Sequence, residues 1–181
     1  YKETNGGEKP ISSLMRALAC NTAYDLGNPG PDYKYGYGAI NGVRAVEVLE
    51  KKSFFTDSVG QGDKFSKKIT IPAGAVALKV MLAWTDAPGT VGASKILVND
   101  LDLSVSNGST KTLPWVLDPK NPSANAFRDY DGLNNIEQVT IDHPVAGTYT
   151  INVEGYEIPD GKQEFAVVYD IVMPNLKLTY P

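Results

Sequence analysis

Hard oxygen donors gather at two places in the chain. Asp86 closes "WTD", and Asn99, Asp100 and Asp102 lie in "VNDLD". Asp129, Asp131, Asn134, Asn135 and Glu137 fall within "RDYDGLNNIE", around Gly132. Carboxylates and amides around a glycine are the donor set that Ca²⁺ takes. Asp100, Asp102, Asp131 and Asn134 are the candidate ligands, and calcium the candidate cofactor. An EF-hand is excluded by counting. With Asp131-Gly132 at loop positions five and six, position one is Phe127 and position twelve is Gln138. A calcium site would have to be assembled from separate β-loops meeting at one end of a sandwich. The competing reading is turn chemistry, because Asp, Asn and Gly supply Asx-turns and left-handed backbone.

Other reactive side chains are few. His143 is the sole histidine, in "IDHPVAG". A general base needs a group to deprotonate within reach, and no nucleophile motif accompanies this one. A solvent-facing residue before a proline turn is the expectation. Cys20, the sole cysteine, is expected as a small buried hydrophobe, since a reactive thiol needs exposure and a lowered pKa. Trp84, Trp115 and Tyr130 could make a sugar-stacking platform, but Trp84 alternates with Leu82 and Val80 and is expected in a core.

These residues need elements to hold them. Residues 10–24 read as a helix, with Pro10 suited to its first position and Ile11, Leu14, Met15, Leu18 and Ala19 on one face. "GNPGP", Gly27 to Pro31, ends it. Asn41 is the expected N-cap of a second helix carrying Val43, Val46 and Leu49, closed by Lys51 and Lys52. From Phe54 the period becomes two. Val80, Leu82 and Trp84 share one strand face, and Leu101, Leu103 and Val105 another. Tyr149, Ile151 and Val153 form a third such run, and Phe165, Val167, Tyr169 and Ile171 a fourth. Asn107-Gly108 is a hairpin signal of type I′. Eight or nine short strands predict a mainly β chain, an antiparallel sandwich or jelly roll, preceded by two helices. The strand at Trp84 is rather apolar on its other face too, where Ala77, Met81 and Ala83 interleave with Lys79. That face should be covered by another element, a further domain or these helices.

The chain has 181 residues, 42% hydrophobic and 21% charged, with a formal net charge of −4, an ordinary globular composition. No basic cluster suggests a nucleic-acid partner. One cysteine excludes an intrachain disulfide, and no apolar run is long enough for a bilayer-spanning helix. The first residues lack a signal-peptide pattern, so an exported protein would carry its signal upstream.

"LMRALACNTAYDLG" followed by "YKYGYGAINGVRAVEVL" resembles the end of a subtilisin-like serine protease (subtilase) catalytic domain. The residues carrying it are Leu18, Thr22, Ala23, Tyr35, Gly36, Tyr37, Gly38, Asn41 and Ala45. "VMLAWTDAPG", "LVNDLDLSV", "DGLNNIEQVTIDHPVAGTYTINVEGYEIP" and "QEFAVVYDI" resemble the C-terminal jelly roll, related to the P-domain, of some bacterial subtilases. The resemblance implies residues 1–52 as C-terminal helices left over from an α/β catalytic domain, without a sheet of their own. It implies residues 53–181 as a jelly-roll domain. The chain is then the non-catalytic C-terminal portion of a secreted or cell-surface serine endopeptidase. Its β domain would stabilise the catalytic domain or shape substrate access. The partners implied are the missing catalytic domain and, through it, protein substrates, with no nucleic acid and no membrane span. The family's Gly-Thr-Ser-Met-Ala nucleophile motif is absent: Gly89-Thr90 continues as Val91, and Gly147-Thr148 as Tyr149. Without an Asp/His/Ser triad the chain should have no catalytic residues and be inactive alone. The alternatives are a carbohydrate- or protein-binding jelly-roll module and a structural spacer.

Overall fold

The structure, a computed structural model, describes residues 1–3 and 5–174. The final residues of the expected β unit, 175–181, lie outside the described residues. Two helices, α1 (Ser12–Asn21) and α2 (Gly42–Glu50), precede ten strands. These are β1 (Phe54–Val59), β2 (Lys64–Ile71), β3 (Ala77–Trp84), β4 (Asp100–Asn107), β5 (Thr110–Thr112), β6 (Trp115–Val116), β7 (Phe127–Arg128), β8 (Ile136–Asp142), β9 (Gly147–Glu157) and β10 (Gln163–Val172). Two four-stranded sheets have the orders β1-β10-β3-β8 and β2-β9-β4-β5, and β6 pairs with β7. All these pairings are antiparallel. No helix among the described residues is long and apolar enough to cross a membrane.

The sheets share a core built by period-two alternation. Val80, Leu82 and Trp84 of β3 and Phe165 and Val167 of β10 meet Leu101, Leu103 and Val105 of β4 and Ile151 and Val153 of β9. Trp84 is wholly buried, as its spacing requires, and its indole N–H donates to the Asn99 carbonyl at 3.0 Å. The outer face of the second sheet is polar, with Ser66, Asn152 and Ser106 linked side chain to side chain.

The first sheet is covered on both faces. Leu14, Ala17 and Leu18 of α1 and Val48 of α2 pack on Met81, Ala83, Ala166 and Val168. The helices expected to lack a sheet therefore have one, and this second core crosses the expected division between residues 52 and 53. Polar ties pin the contact. The Asn21 amide donates to the carbonyls of Lys79 and Val168, each at 3.2 Å. Arg16 donates to the carbonyls of Trp84 and Asn135, and Arg44 pairs with Asp170.

Local boundaries differ from the sequence reading in two instructive ways. Helix α1 begins at Ser12, because Ile11 is extended (φ −68°, ψ 152°) and Pro10 lies outside the helix. In the β4–β5 hairpin Asn107 pairs with Thr110, so Gly108 and Ser109 form the loop. Only Gly108 of that pair has positive φ (59°), the requirement of a II′ rather than a I′ turn. Asn41 does cap α2, its side-chain oxygen accepting the Arg44 N–H at 3.0 Å. In the tyrosine loop Gly38 has φ 101°, and a Cβ there would lie 1.8 Å from the Tyr24 carbonyl oxygen. Ala39 and Tyr24 bridge at that point, which only glycine permits.

Candidate functional site

The two oxygen-rich segments converge where β4 begins. Asp86 ties its own loop down: its carboxylate accepts the N–H groups of Ala87, Val98 and Asn99 at 2.7–2.9 Å. That anchor delivers Asp100 to the start of β4. The sandwiching sheet delivers Glu137, because β8 alternates and Glu137 shares the inward face of Val139. Glu137 Oε2 reaches across to accept the Leu103 N–H at 2.7 Å, capping an edge of β4 that has no strand partner there. Its Oε1 is buried without a hydrogen-bond partner, as is Asp100 Oδ1.

Charge is short in this neighbourhood. Burial pushes the Glu137 carboxyl well up, and Asp102, Asp131 and Asp100 add to the push. Burial likewise raises Asp102, to about 6, with Asp100 and Glu154 adding to it. Asp100 is raised by burial although Lys95 opposes the shift, its ammonium 3.0 Å from Oδ2 and 3.3 Å from Glu157. Asp100, Asp102 and Gly132 line one pocket of 390 Å³ with Tyr130, Glu154 and Tyr156.

Three of the four candidate calcium ligands, Asp100, Asp102 and Asp131, therefore come to one end of the fold. Asn134 comes with Asp131, but turned inward on it. Asp131 Oδ1 accepts the Leu133 and Asn134 N–H groups at 3.0 and 3.2 Å, and the Asn134 side-chain amide donates to both its oxygens. That is the Asx-turn of the competing reading. Asp100 already holds an ammonium, and among the described residues no group of three or more His, Cys, Asp or Glu is placed to hold a metal. The arrangement as it stands fits a calcium shell poorly, since Ca²⁺ takes six to eight converging oxygens. Glu137 is the residue that sequence reasoning undervalued. Period two counted back from Val139 puts it on the core face, where a carboxylate needs explaining.

The remaining candidates fall elsewhere. His143 is exposed in a turn with φ 46°, its N–H donating to the Val76 carbonyl. Cys20 packs beside the second core, and burial raises its thiol. Trp115 lies under the Arg128 guanidinium, 3.4 Å from the ring centre, and donates to Thr140 Oγ1 at 2.9 Å. With Trp84 in the core and Trp115 covered, Tyr130 alone of the three aromatics is open, and Lys111 donates to its hydroxyl at 2.7 Å.

No family model matches the chain. It is 26% identical to "Serine protease/ABC transporter B family protein tagA" of Dictyostelium discoideum over 90% of its own length and 10% of that protein's. It is 33% identical to tagB of the same organism, also named a serine protease/ABC transporter B family protein, over 49% of its length and 5% of that protein's. Pyrolysin of Pyrococcus furiosus is 29% identical over 68% of the chain and 7% of its own length. The chain thus spans a tenth or less of these curated relatives. Among solved structures, the Bacillus licheniformis lipase BlEst2 in propeptide form aligns with a TM-score of 0.36 at 14% identity, covering 67% of this chain and 22% of that one, too distant a likeness to carry an argument. The resemblance to serine proteases read from the sequence is borne out by the relatives, and over 90% of its length the chain is similar to a segment of a protein named as one.

Proposed function

We propose that the chain is the non-catalytic C-terminal portion of a secreted subtilisin-like serine endopeptidase, in which a jelly roll and its two helices form one unit seated on the catalytic domain. The strand orders β1-β10-β3-β8 and β2-β9-β4-β5 support the jelly-roll reading. The observation that carries the proposal is the division of labour in the helical segment. One side is buried in the second core, whereas Ile40, Val43 and Val46 are 79%, 74% and 52% exposed. Tyr24, Tyr33 and Tyr35 of the adjoining loop are also open. Apolar residues clustered this way mark a surface made for contact. On this reading a protease domain precedes residue 1 and rests on them, and the β unit stabilises it and limits what reaches its cleft.

Two measurements test this. The chain alone, treated with a fluorophosphonate probe and with casein, should show no labelled serine and no cleavage. Joined to the protease portion of its own gene product, it should lengthen that portion's half-life at elevated temperature. Val43→Glu with Val46→Glu should cancel the gain without unfolding the chain. An unchanged half-life in the joined protein would refute the stabilising role.

A further inference from the structure

We propose that the connection between β3 and β4 is a site of proteolytic modification: an endopeptidase hydrolyses it within residues 89–96, and the cut chain persists as two interlocked pieces. Hydrolysis there breaks one peptide C–N bond and takes up one water, leaving a carboxylate on the first piece and an amine on the second. The inference does not rest on the protease reading.

An endopeptidase must hold its substrate extended, so it cuts where the backbone opens at little cost. Residues 85–99 form the longest connection between consecutive strands among the described residues. Its base is fixed. The Asp86 carboxylate takes the N–H group of Ala87 on one limb and those of Val98 and Asn99 on the other. The limbs meet again at Gly89, where a Cβ would lie 2.6 Å from the Ile96 carbonyl oxygen. Beyond that contact the tip is open. Residues 90–94 are all exposed, and Val91 is 100% exposed. They read Thr-Val-Gly-Ala-Ser, small and without proline, the kind of tip that proteases nick. Among the described residues the tip's backbone is tied by one hydrogen bond, from the Ala93 N–H to the Thr90 carbonyl at 3.1 Å.

The other long loops are better defended. The β6–β7 connection carries Pro119 and Pro122, and its backbone is tied to Asp118 and Asn121. The tyrosine loop is bridged between Tyr24 and Ala39 and between Asp32 and Gly36, and the Asp32 carboxylate accepts the N–H groups of Asn28, Lys34 and Tyr35.

The sheet orders decide what a cut does to the fold. It leaves α1, α2 and β1 to β3 on one piece and β4 to β10 on the other. The first sheet, β1-β10-β3-β8, then alternates between the pieces, so every pairing in it joins one piece to the other. In the second sheet β2 pairs with β9 across the cut. Helix α1 rests on β3 and β10 together, and the Asn21 amide donates to a carbonyl of each, Lys79 and Val168. Neither piece can leave without undoing the first sheet and both cores.

The full chain, treated with limiting subtilisin and separately with thermolysin, tests this, because the two enzymes prefer different side chains. Both should make their first cut between residues 12 and 172 within 89–96, read by mass spectrometry of the new termini. The cut chain should elute with the intact chain in native buffer and come apart in denaturant. Its melting temperature should rise with protein concentration more steeply than the intact chain's, since the two pieces must find each other to refold. Replacing residues 90–94 by Asn-Gly, a short turn between limbs that already touch, should keep the fold and slow the first cut about tenfold or more. A first cut elsewhere in that span by either enzyme, no cut at all, or an unchanged rate in the shortened chain overturns the proposed site. Pieces that separate without denaturant overturn the interlocked form.

Discussion

Glu137 and Asp102 are carboxyls that the fold makes harder to ionise, and the consequence is a stability that depends on pH in an unusual sense. Asp102 ionises near 3.8 in an unperturbed chain and near 6 here. The folded state therefore holds a proton that the unfolded state has released, and stability falls as pH rises through that window. Glu137 acts in the same direction. Asp102→Asn should raise the melting temperature at pH 7 and leave it unchanged near pH 3.5. Asp102 is partly buried and still reaches water, so screening keeps the gain to about 1 kcal/mol, or roughly 2–4 °C for a chain this size. Glu137→Gln keeps an acceptor for the Leu103 N–H and should flatten the pH dependence further. Thermal melts of the three proteins from pH 3.5 to 8 decide it. A wild-type melting temperature that climbs steadily to pH 8 contradicts the assignment.

At the scale of elements, α1 is the lid of the first sheet. Leu14 is fully buried in the second core, whereas Met15, its neighbour in sequence, is 44% exposed. Leu14→Ala should cost about 2–5 kcal/mol and Met15→Ala no more than about 0.5 kcal/mol, because only the first leaves a cavity. Denaturant melts measure both. The same packing bears on where the chain can be cut. A shortened chain starting at residue 53 exposes Met81, Ala83, Ala166 and Val168 together, and frees the carbonyls of Trp84 and Asn135 from Arg16. It should bind more of a hydrophobic dye and self-associate more strongly than the full chain. A well-dispersed, dye-negative monomer of residues 53–181 would show that the sheet needs no lid.

For the whole molecule, three layers in the order helices, sheet, sheet account for both cores, and the two ends of the stack face different tasks. The helical end keeps Ile40, Val43 and Val46 open beside the tyrosine loop. The far sheet presents Ser66, Asn152 and Ser106 to water, next to the acidic pocket. An apolar contact surface on one face leaves the opposite face free. Joined to a protease domain through the helical end, the chain should therefore show slowed amide exchange around residues 40–46 and unchanged exchange in β2, β4 and β9. A joined protein that instead slows exchange along the far sheet would place the catalytic domain there.

Much of this was legible in the order of residues. Alternation at Val80, Leu82 and Trp84 and at Leu101, Leu103 and Val105 marks strand faces, because side chains in a strand point to opposite sides in turn. Asn41 before an apolar stripe marks a helix start, and the resemblance to serine proteases read from the sequence agrees with relatives named as such. The apolar outer face of β3 announced that something covers it. Which element covers it was a tertiary decision: sequence spacing shows that Leu14 and Leu18 share a face, not what that face meets. The acidic segments were likewise visible as donors, but their role depends on distances between loops about thirty residues apart in the chain. Asn134 turned onto Asp131, Lys95 arrived at Asp100, and Glu137 crossed to the opposite sheet. The sequence alone determined that carboxylates are plentiful. Only the packing of two sheets decided which of them lack a partner, because a charge is unmet only relative to the neighbours that folding places around it.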